Sequence, residues 1–287
     1  MRLSVQYETS YHYSRPAKRV IQLLRLTPLS FESQNVVDWR IDVDRDARIR
    51  EGRDGYGNII HMLYVDGPVD SLKVSVTGKV LTQDRGGIIG EVPGDLPRQV
   101  FLRPTLLTEP GRPLHQLASA LTAQGGSPLD KLHRLTSAIH SRMTFDTGET
   151  EVDTTATDAY FNGHGVCQDF AHIFIAVARL IGIPARYVSG HLFRRDGALL
   201  QEAAHAWAEA WIEHLGWIAF DPSNGICADD AYIRIATGLD YQDAAPFAGA
   251  RNGGGSEKLS VGVQVRQTDG QRQSQSRGTQ AQSQSQG

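Results

Sequence analysis

Three residues in the second half of the chain carry side chains able to act in sequence on one bond: Cys167, His205 and Asp221. A thiol can attack a carbonyl, an imidazole can move the proton, and a carboxylate can hold the imidazole in one orientation. Their chemistry is acyl chemistry on amides or esters. After Gly163, His164 and Gly165, the residues Phe170, Ile173, Phe174, Val177, Leu180 and Ile181 recur at helical spacing, and Gly182 followed by Pro184 supplies a stop. Cys167 therefore falls at or just before the first turn of a helix. Unpaired N–H groups and the positive end of the helix dipole stabilise a thiolate there. With a protonated histidine nearby, such sites lower a cysteine pKa from about 8.5 to roughly 3.5–7.5. The same N–H groups could hold the negative oxygen of a tetrahedral intermediate, which makes the Cys167 amide the first candidate oxyanion donor.

Positioning of the other two follows from alternation. In HAWAEAWI (205–212), His205, Trp207, Glu209 and Trp211 share one face of a strand, while Ala206, Ala208, Ala210 and Ile212 form a small apolar face suited to packing on a helix. Residues 213–216 read as a turn, and 217–220 as a returning strand that ends at Asp221, where Pro222 prevents further pairing. In such a hairpin Asp221 lies opposite or diagonal to His205, within reach of one imidazole nitrogen. The contact between Cys167 and the other nitrogen depends on tertiary packing.

The segments GVCQDFAHIFIAVARLIGIPARYVSG, AHAWAEAWI and GWIAFDPSNG resemble the core of bacterial transglutaminase-like proteins, relatives of transglutaminases and, more distantly, of papain-type proteases. The resemblance runs from about residue 140 to 245. The first 80 or so residues resemble the β-rich N-terminal domain that accompanies this core in bacteria. The resemblance implies Cys167 as nucleophile, His205 as general base and acid, and Asp221 as the group that orients it. It leaves open whether water or an amine accepts the acyl group.

Other readings of these residues are weaker. His164 and Cys167 have an H-x-x-C spacing that, with His205 and Cys227, could be drawn as a zinc site. Neither C-x-x-C nor H-E-x-x-H supports it, so no metal and no cofactor are expected. Cys227 reads as a small buried hydrophobe. His172 reads as a packing residue, His191 and His214 as solvent-facing or satisfied histidines, Arg186 as structural, and Asp229 with Asp230 as a solvated turn. Trp207 and Trp211 are core or cleft wall, and Trp207 is close enough in sequence to shield His205 from water.

Composition bounds the rest. With 287 residues and 40% hydrophobic content the chain can bury real cores, and 29 basic against 32 acidic residues give no electrostatic case for nucleic acid or an anionic membrane surface. The expected partner is a protein or peptide substrate. Two cysteines argue against a disulfide framework, and MRLSVQYETSYHYS lacks the apolar run of a signal peptide, so a cytoplasmic protein is expected. Repeated short strand patterns with turn signals over residues 1–83 predict an antiparallel β-sandwich. Residues 84–104, rich in Gly and Pro, read as a linker. Residues 105–267 read as the catalytic core, with helices at 112–123 and 128–143, strands at 185–193 and 205–221, and a late strand at 259–266. The tail 268–287, with seven glutamines between 271 and 286, reads as disordered. The expected class is α+β: a sandwich followed by a papain/transglutaminase-like core whose nucleophile helix packs on an antiparallel sheet. The expected activity is a thioester-forming cysteine hydrolase of peptide or isopeptide amides. The alternatives are an acyltransferase of the protein-glutamine type and a non-catalytic binding module.

Overall fold

The computed structural model describes residues 1–90, 92, 96–197, 200, 201 and 203–268. The glutamine-rich tail beyond residue 268 lies outside them. The fold is α+β, with two antiparallel sheets and a helical layer.

The first sheet is built on two long strands, Arg2–Thr27 and Ile59–Thr82, paired along nearly their full length. Alternation decides their faces: Leu3, Val5, Tyr7, Thr9, Tyr11 and Tyr13 are buried on one side while the residues between them are turned outward. The register breaks between His12 and Ala17, and that break divides the sheet into two halves. The first half adds Gln34–Val43 and Glu257–Gln267, and the second adds Arg48–Arg53 and Phe247–Gly253. The expected sandwich thus takes the form of one continuous seven-stranded sheet.

The strands Phe247–Gly253 and Glu257–Gln267, far along the sequence, both pair with the strand Arg2–Thr27, Val5 opposite Val265 and Leu24 opposite Phe247. The segment between the two halves of the chain carries structure of its own. Ile88–Gly90 pairs with the strand Gly216–Asp221, and the short 3-10 helix Arg98–Leu102 buries Phe101 edge-on against Trp217. Buried Arg179 donates from Nε to Phe101 O at 3.0 Å and from Nη2 to Leu239 O at 2.8 Å, which ties the segment to the core.

The second sheet has the strand order Ile226–Cys227, Gly216–Asp221, His205–Ile212, Ala185–Leu192, Tyr232–Gly238. On its small face, Ala206, Ala208 and Ala210 receive the helix Cys167–Leu180. That helix is buried on every side from Gln168 to Arg179, as its near-continuous apolar sequence demands, and it is wrapped by the helices Arg112–Ala123, Pro128–Arg142 and Ala156–Asn162. The second of these is capped by a side chain: Ser127 Oγ accepts from Asp130 N–H at 3.1 Å, and the Asp130 carboxylate accepts from Ser127 N–H at 3.0 Å.

A buried charge cluster locks the sheet's centre. Glu209 sits on the strand that carries His205 and is fully buried. Its carboxylate accepts from Arg186 Nε at 2.6 Å and Arg234 Nε at 2.9 Å, on the neighbouring strand and the strand beyond it. Burial alone would raise the Glu209 carboxyl, but the two guanidinium groups outweigh it and hold the group below its ordinary range. Arg186 also lies 3.9 Å above the Trp217 ring. Replacing Glu209 by Gln removes the carboxylate that both buried guanidinium groups bind and should cost about 3–5 kcal/mol. The measurement is the shift of the urea midpoint relative to the parent chain.

Candidate functional site

Cys167 is the first residue of its helix, as the periodicity predicts. The turn before it is fastened by Asp169, whose Oδ2 accepts from Val166 N–H at 2.8 Å and from Thr150 Oγ1 at 2.8 Å. Gly165 makes this possible, because a Cβ there would lie 2.6 Å from Asp169 Oδ2. Asp169 is buried, and that burial raises its carboxyl against these hydrogen bonds. The thiol itself is half-buried and faces a cleft.

His205 begins its strand and Asp221 ends the returning one. The pairing Ala208 to Phe220 and Ala210 to Ile218 puts Asp221 diagonal to His205, one of the two geometries the hairpin allowed. The two side chains meet: His205 Nε2 lies 2.6 Å from Asp221 Oδ2. With the carboxylate accepting, Nε2 carries the hydrogen, and Nδ1 is the nitrogen left for a third group. The Cys167 side chain lies near the imidazole and acts on it, and the two residues line one cleft. The structure therefore brings Cys167, His205 and Asp221 into one constellation.

Burial works against a charged His205, but the Asp221 carboxylate and the Cys167 sulfur outweigh it and push the imidazole up to about 10. Asp221 is fully buried, which by itself would raise its carboxyl. His205, Ser223 and Tyr232 instead hold it well below the carboxylate range. Its two oxygens are saturated. Oδ1 accepts from Ser223 N, Ser223 Oγ and Asn224 N at 3.0, 2.6 and 3.1 Å, and Oδ2 accepts from Asn224 Nδ2 and Tyr232 Oη, each at 2.7 Å, besides His205.

Sequence reasoning missed these supports. Ser223 and Asn224 directly follow Asp221 and Pro222, a local turn pattern in which an aspartate accepts from the next residues, so they were findable. Tyr232 arrives from another strand and leaves no local signal. Trp207 does flank the imidazole, its ring 6.1 Å from that of His205 and nearly parallel, and Tyr232 crosses it edge-on at 5.3 Å. Gly190, opposite His205 in register, leaves room for this indole: a Cβ there would sit 2.6 Å from the ring.

The remaining sequence candidates are scattered. His172 is fully buried, accepts from Tyr241 N–H at 3.1 Å through Nε2, and is driven down to about 3 by burial. His191 is not solvent-facing. It lies buried between Tyr7 and Trp39, its Nδ1 has no partner among the described residues, and burial lowers it to about 4. Cys227 is half-buried and burial pushes its thiol up. Asp229 and Asp230 are not merely solvated, since Arg195 bridges both at 2.6 and 3.1 Å. Among the described residues no three His, Cys, Asp or Glu side chains gather at metal-binding distance.

The constellation opens into a cavity of about 1220 Å³ lying between the two sheets. Cys167, Gln168 and His205 line one side, and Tyr7, Tyr11 and Phe247 of the first sheet line the other.

Comparison with known proteins agrees with this geometry. Residues 115–222 match the family model of the transglutaminase-like superfamily, and residues 3–81 match the bacterial transglutaminase-like N-terminal region. An uncharacterized protein of Mycobacterium leprae is 30% identical over 92% of this chain and 98% of its own length. The chain belongs to the transglutaminase-like superfamily. A crystal structure of a proposed cysteine protease from Cytophaga hutchinsonii superposes with a TM-score of 0.74 at 25% identity, covering 94% of this chain and 92% of the other. A protein-glutamine gamma-glutamyltransferase of Pseudomonas aeruginosa is 37% identical over 82 residues, 26% of this chain and 12% of that protein. As a transglutaminase-like chain it carries its cysteine, histidine and aspartate inside the matched region, Asp221 lying one residue before the end of the match.

The raised imidazole has a consequence for stability. A histidine that titrates near 6.5 when unfolded and near 10 when folded stabilises the fold fully below about pH 6.5, and that contribution is lost as pH rises towards 10. His205→Asn should flatten this part of the stability curve. Thermal midpoints of both proteins between these two pH values would show it, and parallel curves would refute the assignment.

Proposed function

We propose that the chain is a cysteine hydrolase of peptide or isopeptide amide bonds. The observation that carries the reading is the pairing of His205 Nε2 with a buried, fully hydrogen-bonded Asp221, beside Cys167 at the wall of an open cleft. An imidazole pushed up to about 10 holds its proton at neutral pH, which is the proton a leaving amine requires.

In this mechanism the Cys167 sulfur attacks the carbonyl carbon and the carbonyl electron pair moves to oxygen, where the Cys167 amide N–H can stabilise it. The carbon–nitrogen bond then breaks as His205 gives its proton to the leaving amine, and a thioester remains on Cys167. Water attacks the thioester, His205 takes its proton, and the sulfur leaves to release the acid. Asp221 touches no reacting atom. It keeps the Nε2–H tautomer and offsets the imidazolium charge.

The cleft suits a chain-like substrate. Five of the exposed large apolar side chains, Phe145, Val152, Leu200, Ile226 and Leu259, line it, which gives its rim an apolar character fitted to peptide side chains. Transfer to an amine is the second reading, favoured by the local similarity to the Pseudomonas aeruginosa gamma-glutamyltransferase. The same thioester serves both, and only the acceptor differs.

Cys167→Ala should abolish turnover while the fold is kept, and Cys227→Ser should leave it intact. Asp221→Asn should reduce kcat on the order of 10⁴-fold by losing the tautomer. Iodoacetamide at about pH 6 should label Cys167 far faster than Cys227, and equal slow labelling of the two removes the activated-thiolate reading. Product masses from peptides incubated with and without a primary amine distinguish hydrolysis from transfer.

A further inference from the structure

One stretch of the cavity's far wall is strand edge rather than sheet face. In the strand Glu257–Gln267 the lining residues are Glu257, Leu259 and Val261, every second one, as a strand seen face-on requires. In the strand Phe247–Gly253 the lining runs unbroken from Phe247 to Arg251. The cavity therefore reaches that strand along its edge.

This edge is open. Phe247–Gly253 pairs on one side with Arg2–Thr27 and, among the described residues, with no strand on the other. Arg25 N–H donates to Pro246 O at 2.9 Å, in register with the pairing of Leu24 to Phe247, so residue 246 bonds inward. Alternation then turns Ala248 and Ala250 inward as well, and leaves the N–H and C=O of Phe247, Gly249 and Arg251 facing away from the sheet. Gly249 and Ala250 are exposed, and no side chain larger than a methyl group lies between Phe247 and Arg251.

The sheet guards its other edges. Gln34–Val43 carries Asp38, Arg40 and Asp42, and Arg48–Arg53 carries Arg48, Arg50 and Glu51, charges that oppose pairing with another strand. The far end of Glu257–Gln267 is covered by Leu200–Gln201, which pairs with Val263 and Gln264. Residues 247–250 carry no charge, and the Arg251 guanidinium is turned to Gly253 O at 2.7 Å and to Glu257 at 3.1 Å. Three residues that offer a donor and an acceptor at every second position fit another extended backbone, whose own groups recur at the same spacing. A helical segment has those groups closed within itself.

We propose that the substrate binds through an extended segment that adds as a strand to the open edge of Phe247–Gly253, pairing its backbone with Phe247, Gly249 and Arg251 in the cavity that Cys167 also lines. This binding mode rests on the reading of the chain as a peptide-acting cysteine enzyme and names its substrate class: unfolded or loosely held polypeptide, recognised by its backbone. The first sheet then takes a direct part in holding the substrate.

The test uses the full chain with Cys167→Ala, so that bound peptide is not consumed. A randomised library of short, end-blocked peptides is passed over it, and the sequence retained most strongly is resynthesised with an N-methyl group at each backbone nitrogen in turn. Retention should fall about tenfold at alternate positions and little at those between them. On binding, the amides of Phe247, Gly249 and Arg251 should become protected from hydrogen exchange, while those of Ala248 and Ala250 are protected beforehand. Arg251→Pro, which removes an outward N–H, should weaken retention about tenfold relative to Arg251→Ala, which keeps it. The first two measurements alter nothing in this strand and decide the matter even if the proline variant fails to fold. Loss at every N-methyl position or at none, protection without alternation, or no retained peptide overturns the proposal. So does protection of the same amides in a peptide-free dimer, which would give the edge to a second copy of the chain. Turnover and alkylation of the parent chain test the enzyme reading separately. Alternating sensitivity without turnover would sink the mechanism and leave the binding mode, and turnover with no such sensitivity would do the reverse.

Discussion

The bond between His205 and Asp221 is the constraint that the surrounding structure satisfies. A carboxylate removed from water is unfavourable by several kcal/mol unless its lone pairs are all used. Asp221 meets that condition with three hydrogen bonds on each oxygen, drawn from the turn that follows it, from Tyr232 on another strand and from the imidazole. The fixed carboxylate in turn fixes the ring, and the fixed ring presents one nitrogen to the sulfur. If any supporting donor is lost, the remaining contacts must rearrange around a buried charge.

That chain of constraints extends into the sheet. The imidazole is stacked on Trp207, the indole depends on the missing side chain at Gly190, and the strand carrying both is held by Glu209 between two arginines. These contacts lie on one face of a single strand, and the alanines on its other face fit it to the helix that starts with Cys167. Alternation along eight residues thus sets the spacing between His205 and the helix that Cys167 begins.

Much of this was readable from residue types. The helix start at Cys167, the strand 205–212, the turn and return to Asp221, and the Ser127 cap all follow from local patterns, because each is decided by neighbours a few positions apart. The contact between cysteine and histidine was readable only through family resemblance. Tyr232, the Glu209 cluster and the burial of His191 were not readable, since each depends on which strands become neighbours. The same reason accounts for the late strand expected at 259–266, whose alternation says that it is a strand and not which strand it pairs with. Residues 84–104 misled in another way: their glycines and prolines suggested slack, but Phe101 and a short strand anchor them.

The return of the chain's last strands to its first one has a wider meaning. The cleft lined by Cys167 and His205 has walls drawn from separate stretches of the chain, one from the segment that carries those two residues and one from the strands Arg2–Thr27, Phe247–Gly253 and Glu257–Gln267 that pair with each other. The two walls can therefore vary independently of one another. Exchanging the outer stretches between related proteins would reshape one wall and leave the other unchanged, and removing either stretch would open the cleft on that side.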